Sequence, residues 1–175
     1  AFQTVFSNML YWLDSPAASL REVARILRPG GRAILCVPDP TFLEYCPSYH
    51  WQASGSELLR LLNRGRGDAI RWTWSPSEAT RLAASVGCDV VSVRSYLSPL
   101  TLKVWDIGLR PLAPVLIRMV QQIDEANRRS MKLEWMDLLR PILVELYELD
   151  QRSRATGGFH CIVLEKIAGG PAACS

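Results

Sequence analysis

Ser7 and Asn8 close the apolar run Phe2-Gln3-Thr4-Val5-Phe6. A hydroxyl and an amide at the carboxyl end of a parallel strand are what open α/β sheets present to ligands, the plainer alternative being local loop hydrogen bonding. Met9, Leu10, Tyr11 and Trp12 follow at once, as walls of a cofactor or substrate pocket or as simple packing. His50 stands between Tyr49 and Trp51 in an aromatic-rich stretch; an imidazole there is a candidate general base or a lid residue. His160 falls inside a late apolar run and is expected to be a structural histidine with its hydrogen bonds met.

Other clusters exclude more than they suggest. Arg60, Arg64, Arg66 and Arg71 beside Trp72 and Trp74 have the composition that tracks single-stranded nucleic acid. Twenty Lys and Arg against seventeen Asp and Glu leave only +3, too weak a balance for that partner, so a solvated lid loop is the better reading. Five cysteines (Cys36, Cys46, Cys88, Cys161 and Cys174) are an odd number without the close spacing of a zinc site. They read as reduced thiols of a cytoplasmic protein. No apolar run approaches the roughly 20 residues that span a bilayer, and there is no H-E-x-x-H, Walker loop or nucleophile elbow. With 49% apolar and 21% charged residues among 175, the chain is expected to bury a sizeable core.

The elements that position these residues follow from pattern. Residues 2–7 read as a buried parallel strand. Ser15-Pro16 places a cap before a proline, and Leu20, Val23, Ala24 and Leu27 mark one helical face, stopped by Pro29-Gly30-Gly31. Residues 32–37 form the next strand, completing a right-handed βαβ unit. A short helix is expected near 56–63, then a capping box Ser75-Pro76-Ser77-Glu78 opening a helix to Gly87, and a strand over 89–97. Helices over 112–128 and 131–154, the second kinked at Pro141, make a helical insertion at 98–156, read as packing over the sheet or capping a pocket. A last strand spans 159–167, and 168–175 reads as a flexible tail.

The composite of Val5-Phe6-Ser7-Asn8 with Leu20-Arg21-Glu22-Val23-Ala24-Arg25-Ile26-Leu27-Arg28-Pro29-Gly30-Gly31 resembles the class I S-adenosylmethionine-dependent methyltransferases, in particular the methyltransferase type 11 group. The likeness covers residues 2–37; beyond residue 75 only the order of elements agrees. It implies an α/β fold, a partial doubly wound, Rossmann-like sheet with a helical insertion before the last strand, in which residues 2–7 are the fourth strand and 32–37 the fifth. Gln3 departs from the acid usual at that position.

The resemblance further implies methyl transfer from S-adenosyl-L-methionine to a small molecule, with Ser7, Asn8 and Met9 beside the cofactor. Tyr11, Trp12, Tyr49 and Trp51 would line the substrate pocket, and His50 is the candidate base. The family's glycine-rich turn and ribose-binding acid have no counterpart here. Residues 1–167 are therefore expected to be the carboxyl-terminal portion of such a domain, binding the cofactor weakly or not at all alone. A missing amino-terminal half or a partner chain would sit at the first strand's edge. The alternative is a non-catalytic methyltransferase-like interaction module completed by a partner chain.

Overall fold

The computed structural model describes residues 1–50, 70–153 and 157–168. These form two compact units: residues 1–43, 70–96 and 157–168 in one, and 44–50 and 97–153 in the other. The short helix expected near 56–63 and most of the tail lie outside the described residues.

In the first unit, strand β1 (Phe2–Ser7) runs into helix α1 (Pro16–Ile26) and then strand β2 (Leu27–Pro38). Ser15 caps α1, its Oγ accepting the Ala18 N–H at 3.2 Å, with Pro16 at the first helical position. Leu20, Val23 and Ala24 turn inward from it. The helix stops earlier than the proline and glycines predict: Leu27 is already extended and pairs with Phe2. Between Phe2↔Leu27 and Thr4↔Arg32 the partner strand takes extra residues, so Pro29-Gly30-Gly31 is a bulge within β2. Gly30 adopts φ +70°, and a Cβ on Gly31 would lie 2.8 Å from the Arg28 carbonyl oxygen. Glycine is required at both positions.

Helix α2 (Pro47–His50) belongs to the second unit, whereas α3 (Pro76–Ser85) and strand β3 (Cys88–Tyr96) return to the first. The capping box of α3 forms as its sequence predicts: Glu78 N–H to Ser75 Oγ at 3.3 Å, and Ser75 N–H to Glu78 Oε2 at 2.9 Å. Strand β4 (Phe159–Lys166) inserts between β2 and β3, antiparallel to both, giving the order β1-β2-β4-β3. The sheet is thus α/β and mostly parallel in strand direction, with β4 reversed. Ala33, Leu35 and Val37 of β2 and Ile162 and Leu164 of β4 alternate onto one face. They pack with α1, with Ala79 and Ala83 of α3 and with Trp74. Each of the buried Leu, Ile and Val side chains contributes about 1.5–3 kcal/mol by leaving water. Lys166 Nζ donates to the Ala24 and Leu27 carbonyls at 2.7 and 2.8 Å, meeting acceptors that the end of α1 leaves free. On the edge strand β1, Phe2 and Phe6 remain 59% and 64% exposed.

The second unit adds α4 (Pro99–Val104), a π-helical turn (Trp105–Leu109), α5 (Leu112–Gln121) and α6 (Glu125–Arg152). Asp150 accepts the Leu97 N–H at 2.9 Å and the Ser98 N–H, fixing the start of α4 to α6. Asp106, fully buried, accepts the Ser48 N–H and hydroxyl, each at 2.8 Å. The boundary between the last two helices falls at 121–125 rather than 128–131, because Asp124 caps α6 through the Asn127 N–H at 3.1 Å. Helix α6 runs on through Pro141, which removes one amide from its ladder. None of its 28 residues is fully buried: of its apolar residues around Pro141, Leu139 and Leu146 are half-buried, whereas Ile142 and Leu143 are exposed.

Candidate functional site

The carboxyl ends of β1 and β2, which run parallel, open at the same end of the sheet. Beyond β1 the chain makes a tight turn, because Ser7 Oγ accepts the Met9 N–H at 3.3 Å. A 3-10 turn over Leu10–Trp12 follows, with Leu10 anchored in the core. That anchoring leaves Asn8 and Met9 outward and exposed, Tyr11 half-buried and Trp12 exposed. The segment after residue 69 crosses this turn: the Arg71 N–H donates to the Tyr11 carbonyl at 3.0 Å and Trp72 Nε1 to the Leu13 carbonyl at 2.9 Å. The Trp74 N–H reaches the Pro38 carbonyl at 3.0 Å, and Arg71 pairs with Asp14. Trp72 and Trp74 stack at 4.7 Å. The part of the basic and aromatic patch that is described is therefore committed to structure, while Arg60, Arg64 and Arg66 lie outside the described residues.

Tyr11 meets Phe159 edge-on at 6.0 Å, Phe42 meets Phe159 at 5.0 Å, and Tyr96 lies 5.7 Å from the same ring. Trp12 extends the cluster through an edge contact with Tyr11 at 5.9 Å. Burial raises the Tyr96 phenol far above its ordinary range, reinforced by its hydrogen bond to Cys36. Burial also raises Tyr11. Both hydroxyls stay protonated at neutral pH and are hydrogen-bond donors rather than bases.

Behind this cluster is a buried polar chain. Asp39, the first residue after β2, sets Oδ2 2.7 Å from His160 Nε2, and His160 Nδ1 lies 3.1 Å from Ser95 Oγ. The histidine is 2% exposed. Asp39 Oδ1 accepts the Thr41 N–H at 2.8 Å and the Thr41 hydroxyl. Burial works against this carboxylate, but the Thr41 and His160 bonds outweigh it and hold its pKa below the usual range. His160 is thus a satisfied histidine, with both ring nitrogens engaged.

The structure brings Ser7, Asn8, Met9, Tyr11 and Trp12 together at one strand end. Tyr49 and His50 belong to α2 in the second unit, and the His50 side chain and Trp51 lie outside the described residues. Phe159, Tyr96 and Asp39 are the neighbours that the sequence reading did not assign to the site. Only the insertion of β4 between β2 and β3 gathers them, although the Gly157-Gly158 pair before Phe159 was a local signal. A Cβ on Gly157 would lie 2.0 Å from the Tyr96 carbonyl oxygen. The Gly158 carbonyl accepts the Asp39 N–H at 2.9 Å.

Residues 1–35 match a family model described as a methyltransferase domain. Malonyl-[acyl-carrier protein] O-methyltransferase of Hahella chejuensis is 41% identical over 61 residues, which are 34% of this chain and 22% of that protein. The S-adenosylmethionine-dependent methyltransferase from Mesorhizobium loti aligns with 95% of this chain and 62% of its own, at 14% identity and a TM-score of 0.46. Phosphoethanolamine N-methyltransferase 2 of Haemonchus contortus, in complex with S-adenosyl-L-methionine, covers 95% and 34% at 12% identity and a TM-score of 0.46. The chain spans about a fifth of the curated relative's length. The match to the family model is confined to residues 1–35, which run from β1 through α1 into β2.

Proposed function

We propose that this chain forms the acceptor side of an enzyme that transfers a methyl group from S-adenosyl-L-methionine to a small molecule. The observation that carries the reading is the exposed pair Asn8 and Met9 at the carboxyl end of parallel β1, beside the aromatic cluster of Tyr11, Trp12, Phe159 and Tyr96. The match of residues 1–35 supports it. When bound, the cofactor supplies an electrophilic methyl on its sulfonium, so the chain's task is to bind, orient and exclude water.

Asn8 offers an amide and Met9 an apolar surface to the cofactor, while Ser7, engaged with the Met9 N–H, holds their turn. Tyr11 and Trp12 wall the acceptor pocket on this unit. The carboxylates near these strand ends are already engaged, Asp14 by Arg71 and Asp39 by Thr41 and His160. The described residues therefore suit part of the cofactor, and its ribose hydroxyls need a carboxylate from elsewhere. The outer edge of β1, with exposed Phe2 and Phe6, is where a further strand would bring it, from a longer chain or from a partner.

The same edge, unpaired among the described residues, favours the second reading, a non-catalytic module completed by a partner chain; a defined hetero-oligomer without methyl transfer would mark it. In both readings the thiols are those of a cytoplasmic protein, and among the described residues no helix is long and apolar enough to cross a membrane. Ultraviolet crosslinking of methyl-labelled S-adenosylmethionine to the chain, followed by peptide mapping, tests the first. Label on the peptide containing Asn8 to Trp12, competed by S-adenosylhomocysteine, is expected. Label confined to helix α6 would overturn the placement.

A further inference from the structure

Two cysteines stand side by side on the sheet face opposite the main core. Cys36 of β2 and Cys161 of β4 are register partners in the antiparallel pair, both half-buried and both free thiols. Directly opposite residues of antiparallel strands keep their Cα atoms about 4.5–5.5 Å apart, within the roughly 4.4–6.8 Å that a disulfide spans. Opposed side chains also leave the sheet on the same face, so neither strand has to slip for the sulfurs to meet. Burial raises the pKa of the Cys161 thiol, and the neighbouring Cys36 raises it further. The Tyr96 phenol bonds Cys36. Cys46 and Cys88 differ in being buried, and Cys88 is paired in register with Lys166.

We propose that Cys36 and Cys161 form a reversible cross-strand disulfide, a thiol switch beneath the aromatic cluster. The oxidant is a peroxide. One thiol, as its thiolate, attacks a peroxide oxygen and becomes a sulfenic acid, releasing water when the proton returns. The second sulfur then displaces the sulfenic oxygen as another water. Two thiols and one hydrogen peroxide thus yield one disulfide and two waters, two electrons passing from sulfur to the peroxide. Since the thiolate is the attacking form and Cys161 holds its proton at neutral pH, the reaction quickens as pH rises. Closure takes the thiol partner at Cys36 away from Tyr96, which shares the pocket wall with Phe159.

The test treats the whole chain with hydrogen peroxide at neutral and mildly alkaline pH, blocks remaining thiols with N-ethylmaleimide and digests it without reduction. A linked pair of peptides carrying Cys36 and Cys161, lighter by two hydrogens and restored by dithiothreitol, is expected, forming faster at the higher pH. Cys36→Ser and Cys161→Ser each abolish that species while keeping the wild-type circular dichroism spectrum. The wild-type map also stands without the variants. Recovery of both cysteines as maleimide adducts after oxidation, or of Cys36 or Cys161 joined to a different cysteine, would overturn the proposal.

Discussion

Removing the Asp39 side chain tests the buried polar chain behind the aromatic cluster. In Asp39→Ala, His160 Nε2 loses its acceptor at a site 2% exposed, and Thr41 loses two bonds to the carboxylate. An unsatisfied buried donor costs about 1–3 kcal/mol and each lost hydrogen bond about 1 kcal/mol, giving roughly 3–5 kcal/mol in all. Asp39→Asn should cost only about 1–2 kcal/mol. Its carbonyl can keep Thr41, and its amide can donate to Nε2 if the imidazole proton moves to Nδ1 and is given to Ser95 Oγ. Urea unfolding, read through exchange of the β2 and β4 amides, reports on the sheet unit. The pH dependence has a fixed sign. A carboxylate whose folded pKa is depressed contributes stability that is whole above the unfolded value of about 3.9 and is lost as pH falls through the folded value. Wild type should therefore lose stability below about pH 4 more steeply than Asp39→Asn. An Asp39→Ala midpoint matching wild type, or an Asn variant as damaged as the Ala variant, would refute this reasoning.

Gly157→Ala brings a Cβ to 2.0 Å from the Tyr96 carbonyl oxygen, where ordinary contact begins near 3.4 Å. Strand β3 must move, at about 3 kcal/mol or more, visible as a lower midpoint in thermal unfolding. Ser75→Ala removes the hydroxyl that accepts the Glu78 N–H, while the backbone N–H of residue 75 still faces the Glu78 carboxylate, and should cost about 0.5–2 kcal/mol in the same assay. Phe6→Ser, on an exposed position of the edge strand, should change stability by no more than about 0.5 kcal/mol while reducing self-association in sedimentation velocity. A large loss of stability would mean that Phe6 is packed.

The βαβ unit was legible because its signals are local: a serine cap with a following proline, one helical face, and an apolar strand. The capping box of α3 was legible for the same reason. The end of α1 differs from expectation, since Pro29-Gly30-Gly31 carries the marks of a helix stop, yet burial of Leu27 and its pairing with Phe2 extend the backbone two residues before that proline. In α6 the periodic apolar residues were real, but periodicity says which side chains share a face and nothing about what covers it. That Ser7 to Trp12 gather at a strand end was legible because they adjoin it in sequence. Phe159, Tyr96, Asp39 and the pairing of Cys36 with Cys161 were not, because each depends on where a strand more than a hundred residues after β1 inserts.

Titration of the nitrogen-15-labelled chain with S-adenosylhomocysteine addresses the central claim most directly, because it reads the location and strength of binding together. Weak, saturable shifts confined to Ser7 through Trp12 and their neighbours Phe159 and Tyr96 are predicted. Tight stoichiometric binding would contradict the proposal that a carboxylate from elsewhere holds the cofactor's ribose. Saturable shifts centred on the helices of residues 97–153 would contradict its place at the end of β1.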